Sequence, residues 1–337
     1  MFWNKQGKKW ILLLLGAVML LGGPIPATAA QKRGLENTYH QLTANQSLRI
    51  GYLGGSITAG SGASSQDNCW RVKTTKWFQE TYPNCKIEEI NASIGGFGSI
   101  PNAFRAQNDL LSKEPDLVFV EAAVNDWNQK EQEVKDAMEG VVRQIYTHNP
   151  NADIVFVYTM HKAGAEASYV KGDTMKTVLW HEEIAQHYGI PSINCGLDLY
   201  RKIESGEMTW EDALTDGTHP TDAGYAVYAQ SIQTFLRDAL AAAASGTPQA
   251  MTLPAKLSAT CYDKADIQDA WETAYEGFEK SENTMGGRYP HMLTSQTEGA
   301  KISVPFRGRT VGLYWLKAID AGIVQWSVDG GKPQELS

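Results

Sequence analysis

Between residue 48 and about residue 244, short apolar runs alternate with longer stretches of helical period. The runs at 48–53, 86–91, 116–124, 153–159 and 191–194 predict strands. Two of them, Leu117-Val118-Phe119-Val120 and Ile154-Val155-Phe156-Val157, are continuously apolar. That is the pattern of strands covered on both faces in a parallel sheet. Between the strands, the spacing predicts helices over 70–82, 102–111, 131–147 and 174–187. A longer helix over 221–244 has Thr221 placed as its N-cap and Asp222 in its first turn, where the positive end of a helix favours an acid. Strand and helix alternating at this period imply a three-layer α/β/α domain around a central parallel sheet.

After Leu240 the pattern changes. Ala241-Ala242-Ala243-Ala244-Ser245-Gly246-Thr247-Pro248 ends the helix and opens a small-residue linker over 245–257. Beyond it, 301–305, 310–315 and 322–328 predict strands, with Asp329-Gly330-Gly331 as a turn. We expect a β-rich, sandwich-like accessory domain over 258–337. A sandwich takes about 100 residues, so this one is expected to be partial and the chain truncated there.

Composition agrees with two domains, or one large domain and a piece of another: 337 residues, 42% hydrophobic and 20% charged. It excludes collagen-like, low-complexity and wholly disordered chains. A net charge of −8 with no long Lys/Arg run argues against nucleic acid as a partner. The first 29 residues read as a secretory signal: Lys5, Lys8 and Lys9, an apolar run from Trp10 to Leu21, then the small-residue site Ala27-Thr28-Ala29. The apolar run is shorter than the roughly 20 residues of a membrane span. Cleavage near Ala29 would leave a secreted, acidic protein, residues 30 onward, with no stable membrane insertion.

Export puts Cys69, Cys85, Cys195 and Cys261 in an oxidising compartment. Cys69 and Cys85 bracket the helix expected at 70–82 and are the favoured disulfide pair; four buried thiols are the alternative. No C-x-x-C pair suggests zinc or redox chemistry, and no H-E-x-x-H pattern occurs among the seven histidines. His181 and His187 lie six residues apart, on different faces of one helix, and read as packing or surface residues. No metal and no cofactor are called for.

Four short segments carry the chemistry. Gly54-Gly55-Ser56-Ile57-Thr58 follows the first strand and exposes a serine where open α/β sheets place ligands. Asn91-Ala92-Ser93-Ile94-Gly95-Gly96-Phe97-Gly98 follows the second, with glycines that let the backbone approach a ligand. Ala123-Val124-Asn125-Asp126-Trp127 follows the third and can aim an amide into the same crevice. Asp216-Gly217-Thr218-His219-Pro220 precedes the last helix. Asp and His three residues apart can set a carboxylate on Nδ1 of the imidazole, leaving Nε2 free to take a serine's proton.

In this order, Ser, Gly, Asn, then D-x-x-H, the segments resemble the four blocks of the SGNH hydrolases, also called GDSL-type esterases and lipases. The resemblance covers residues 48–240. It implies a flavodoxin-like sheet and a triad of Ser56, His219 and Asp216. It also implies an oxyanion hole of the Ser56 and Gly96 N–H groups with the Asn125 side chain. Two positions depart from the family pattern. Gly55 stands where an Asp that normally braces the loop is usual, and Ala123 stands for a Gly.

The implied activity is a serine esterase working through an acyl-enzyme, with an acylated carbohydrate as the expected substrate and O-acetyl as the expected group. Three features lean toward sugars. The 10 Trp and 14 Tyr include Trp127 beside the third block, a ring that can stack on a sugar face or simply pack. The β-rich segment resembles sandwich partners of polysaccharide-acting members. No basic amphipathic helix suggests a membrane-surface lipase. A lipid-directed esterase or lysophospholipase, a non-catalytic carbohydrate-binding protein on a hydrolase fold, and acyl transfer to a sugar acceptor are the competing readings.

Overall fold

The structure, a computed structural model, describes residues 33–44, 46–282, 291–316, 319 and 321–336. The predicted signal segment, 1–29, lies outside the described residues. Two compact units divide the chain at Ile267/Gln268.

The first unit runs α1 (Glu36–Thr43), β1 (Ser47–Gly54), α2 (Ser56–Ala59), α3 (Trp70–Thr81), β2 (Lys86–Ser93), α4 (Ser99–Asp109), β3 (Leu117–Glu121) and α5 (Glu131–His148). It continues with β4 (Asp153–Tyr158), α6 (Lys162–Ala167), α7 (Lys176–Tyr188), β5 (Ser192–Asn194), α8 (Cys195–Glu204), α9 (Trp210–Ala213) and α10 (Asp222–Ala243). The five strands form one parallel sheet in the order β2-β1-β3-β4-β5. Helices α4, α5 and α7 pack side by side as one layer, and α1, α3, α8 and α10 form the other. The expected α/β/α architecture is therefore present.

The continuous apolar runs explain which strands are central: every residue of β3 and of β4 is buried. Tyr52 of β1 stacks on Phe119 of β3 with centroids 5.3 Å apart, and Trp70 meets both rings edge-on. The strand order reverses direction beside β1. The crevice at the carboxyl ends of β1 and β3 is thus the switch point where such sheets bind ligands.

Differences from the sequence reading have local causes. The run 116–124 leaves the sheet after Glu121 because the chain turns there, with the Asp126 N–H on the Ala122 carbonyl at 3.1 Å. Ala123 and Val124 remain buried, so their apolar character reflects core packing and not a strand. The short helix α8 escaped notice because it begins directly at the end of β5, where the Asn194 side chain accepts the Leu197 N–H. Thr221 caps α10 as expected, accepting the Gly224 N–H at 3.1 Å.

The Cys69–Cys85 pairing is overturned: all four cysteines are free and buried. Cys69 is the N-cap of α3 and Cys85 follows its other end. The 12 residues of α3 hold the two about 18 Å apart along its axis. A disulfide needs Cα atoms within about 7 Å.

The segment expected as a linker at 245–257 is strapped onto the first unit, together with residues up to 267. Glu139 of α5, fully buried, accepts the N–H groups of Leu257 at 2.6 Å and Ser258 at 2.9 Å. The Tyr262 N–H donates to the Asp136 carbonyl, and the Met251 N–H to that of Pro150. The second unit therefore begins at Gln268 and not at 258.

That unit contains β6 (Ala274–Glu276), β7 (Glu279–Glu282), β8 (His291–Thr294), β9 (Lys301–Ser303), β10 (Val324–Trp326) and β11 (Gln334–Leu336). They pair antiparallel as β6–β9, β7–β8 and β10–β11. Asp329 and Gly330 both take positive φ, which suits the tight turn of the β10–β11 hairpin. The run 310–315 is not a strand, since no described strand pairs with it.

Candidate active site

Ser56 opens α2 at the carboxyl end of β1, and His219 stands on the loop before α10. The His219 Nε2 lies 2.8 Å from Ser56 Oγ, and His219 Nδ1 lies 2.7 Å from Asp216 Oδ2. Asp216 also folds back on its own loop, its Oδ1 accepting the backbone N–H groups of Thr218 at 3.0 Å and His219 at 2.8 Å. These bonds, with the His219 side chain, hold the Asp216 carboxyl down at about 2. The carboxylate stays ionised and holds the imidazole with its Nε2 toward the serine, although its side chain is 54% exposed.

Several contacts keep loops 163 residues apart in register. The Tyr225 hydroxyl, on the first turn of α10, reaches the carbonyls of Ile57 and Ser61 at 3.0 and 2.7 Å. Asp222 accepts the Ser64 N–H at 2.9 Å and the Asn68 amide at 2.9 Å. The Lys162 N–H holds the Gly217 carbonyl at 2.7 Å. Gly62 has left-handed φ, and a side chain there would collide with Pro220 and His219. Arg71 of α3, buried and ion-paired with Glu89, donates to the Thr58 carbonyl at 3.2 Å.

Gly96 is glycine for its backbone: φ is +86°, in a turn closed by the Phe97 N–H on the Ile94 carbonyl. Asn125 sits in the turn after β3, with its amide oxygen in the space that a side chain at position 55 would need. Ser56, His219 and Asp216 are therefore brought into one hydrogen-bonded line, and the Gly96 and Asn125 loops lie beside the Ser56 loop.

Beside it lies an array that sequence reading missed. Asp126, fully buried, accepts the Ser99 N–H at 2.8 Å, the Ser99 hydroxyl, and His181 Nε2 at 2.8 Å. It ties the Gly96–Ser99 segment to the Asn125 turn. His181, expected as a packing or surface residue, is 1% exposed, with Phe156 and Tyr158 edge-on to its ring. Its partner is 55 residues away, so no local pattern points to it.

Trp127 lines a groove of about 610 Å³ with Ser168, Asp173, Thr174, Lys176 and Leu179. The Lys176 ammonium lies 4.8 Å over its ring and the His161 ring meets it edge-on at 5.0 Å. Among the described residues, no cluster of three His, Cys, Asp or Glu could hold a metal ion. No helix among them is long and apolar enough to cross a membrane.

The GDSL-like lipase/acylhydrolase family profile matches residues 52–227, just over half of the chain. Among solved structures, the chain is similar to a two-domain esterase active on acetylated mannans, co-crystallised with mannopentaose. It shares 30% identity at a TM-score of 0.68, covering 80% of this chain and 72% of that one. A second structure of a two-domain esterase active on acetylated mannans aligns at 29% identity and TM-score 0.69, with the same coverage. No match was found among curated protein sequences.

Proposed function

Because the chain belongs to the GDSL-like lipase/acylhydrolase family and is a carboxylic ester hydrolase, we propose that it removes O-acetyl groups from a polysaccharide of the acetylated-mannan type through a Ser56 acyl-enzyme. The observation that carries this reading is the unbroken line Ser56 Oγ, His219 Nε2, His219 Nδ1, Asp216 Oδ2, with gaps of 2.8 and 2.7 Å. A serine hydroxyl becomes a useful nucleophile when a positioned base takes its proton as it attacks.

In the proposed cycle His219 Nε2 takes the Ser56 proton while Oγ bonds to the acetyl carbonyl carbon. The resulting oxyanion accepts hydrogen bonds from the Gly96 and Ser56 N–H groups and the Asn125 amide. His219 then protonates the leaving sugar oxygen as its bond to carbon breaks. Water, deprotonated by the same imidazole, attacks the acetyl-serine; collapse returns the proton to Ser56 and frees acetate. Asp216 stabilises the imidazolium without taking its proton.

The groove beside Trp127 suits the sugar side of the ester. A carboxylate, an ammonium and hydroxyls at Asp173, Lys176, Ser168 and Thr174 share the lining with an indole and a leucine, a mixture that suits a sugar's polar edges and apolar face. The resemblance to an esterase active on acetylated mannans supports the choice of polymer. Export by the 1–29 segment would bring the enzyme to such a polymer, and secretion is part of the proposal.

The test is acetate release from acetylated mannan and acetylated xylan, set against 4-nitrophenyl esters of rising acyl length. We expect release from mannan and a preference for acetyl among the esters. Preference for long acyl chains with no release from either polymer would replace this reading with a lipid-directed esterase.

A further inference from the structure

Gly55 precedes the nucleophile, and nothing in its backbone demands a glycine: φ is −93° and ψ −154°, an extended conformation open to any residue. Space is the constraint. A Cβ at position 55 would overlap the Asn125 amide oxygen and crowd the Phe97 carbonyl at 3.1 Å. Position 55 therefore cannot carry a side chain of its own to brace the loop while Asn125 keeps its place.

An acid does brace this loop, from another strand. Glu121 ends β3 directly beside Gly54 in the sheet register and is 1% exposed. Its Oε2 accepts the Thr58 hydroxyl of α2 at 2.8 Å, and its Oε1 accepts the hydroxyl of Thr159, just after β4, at 2.9 Å. The Gly55 backbone N–H lies near enough to the same carboxyl to lower its pKa. One carboxylate thus joins the carboxyl ends of β1, β3 and β4 immediately under Ser56. Burial raises the pKa of this acid, and Asp126 nearby adds to the rise, while its two hydroxyl donors and the Gly55 N–H oppose it. A carboxyl kept there despite its desolvation, in an otherwise apolar strand, is held by those donors.

We propose that Glu121 is the positioning residue of the nucleophile loop and that Gly55 and Asn125 form a matched pair, the missing side chain at 55 making room for the amide beside the oxyanion. The bond to Thr58 fixes the first turn of α2, the bond to Thr159 ties that carboxylate to the end of β4, and the Gly55 peptide entering Ser56 runs alongside it. Together they set the direction of Ser56 Oγ and of its N–H. The inference rests on the serine-esterase reading and extends it to how this chain holds its nucleophile.

The test uses 4-nitrophenyl acetate, which needs no sugar recognition, and the rate at which a fluorophosphonate labels Ser56. Glu121→Ala is expected to lower kcat on the order of 100-fold with KM changed less than about threefold, and to slow labelling in parallel. Glu121→Gln keeps the volume and a carbonyl acceptor and should restore most of the loss. Thr58→Val, which removes one donor and keeps the fold, should lower kcat about tenfold at unchanged KM.

Gly55→Ala should fall to the level of Asn125→Ala. The double variant Gly55→Ala/Asn125→Ala should fall no further, because the first change already displaces the amide. Near-wild-type kcat in folded Glu121→Ala or Thr58→Val, or losses at 55 and 125 that multiply, would overturn the proposal. If the wild type neither cleaves this ester nor takes the label, the functional reading fails along with it. An active wild type with indifferent variants sinks this inference alone.

Discussion

Two histidine–carboxylate pairs lie near the carboxyl edge of the sheet, and their geometry is nearly the same. His219 meets Asp216 at 2.7 Å and His181 meets Asp126 at 2.8 Å, and each set includes a serine. What differs is the order of the groups and their access. In the first, imidazole is the middle member, with Ser56 Oγ on its free nitrogen and the His219 side chain 25% exposed. In the second, the carboxylate is the middle member and takes both Ser99 and His181 on its oxygens, with His181 and Asp126 almost wholly buried. Ser99 Oγ lies 3.4 Å from His181 Nε2, but both groups are tied to the same buried carboxylate oxygen, and a buried serine meets no ester. The first arrangement can do chemistry; the second holds two loops together.

The largest effect should come from exchanging the two histidines' fates. His219→Ala is expected to lower kcat by about ten-thousand-fold or more, as loss of the base does in serine hydrolases. His181→Ala, assayed below its unfolding temperature, should stay within about tenfold of wild type. Equal losses in steady-state assays would erase the distinction drawn above. Next, Asp216→Asn should lower kcat about a thousand- to ten-thousand-fold, because the imidazole loses the partner that fixes its tautomer. Then Asn125→Ala should reduce kcat about 100–1,000-fold, the range for one oxyanion donor. Near-normal turnover in that variant would remove Asn125 from the role.

The buried pair should show itself in stability. His181→Ala removes one of the two side-chain donors on the buried Asp126 Oδ2, for about 1–3 kcal/mol of destabilisation in denaturant titrations.

The sequence made the chemistry of the first pair visible because D-x-x-H is local: Asp216 and His219 share one loop, and the folded carboxylate needs only its own neighbours. The central strands were legible for a similar reason, since covering both faces leaves an unbroken apolar run in β3 and β4. The second pair was not legible because it exists only once α7 lies beside the turn after β3. Glu121 left a faint trace as one acid closing the run Leu117–Val120, but its partners come from two distant segments, the nucleophile loop after β1 and the residue after β4. Gly55 looked like the loss of a brace. Its meaning depends on Asn125, 70 residues on, occupying the space. The cysteines were misjudged because flanking a helix was taken as nearness, whereas a helix between two residues keeps them apart.

The smallest effect concerns acid groups outside the site. Burial pushes the Asp153 carboxyl up to about 6 although it accepts the Thr38 N–H at 2.8 Å and the Asn37 amide at 3.2 Å. Between about pH 4 and 6 the folded state then binds more protons than the unfolded one, so this group's contribution falls as pH rises. Asp153→Asn should flatten that part of a Tm–pH curve. Asp216 has the opposite sign: its carboxyl is held at about 2, so what it contributes is present above about pH 4 and is lost as pH falls toward 2.

The most direct measurement is mass spectrometry of the protein after brief exposure to a fluorophosphonate, in wild type, His219→Ala and His181→Ala. The account predicts one adduct, on the peptide carrying Ser56, formed quickly in wild type and in folded His181→Ala and nearly absent in His219→Ala. An adduct on any other residue, or equal labelling with and without His219, would contradict it.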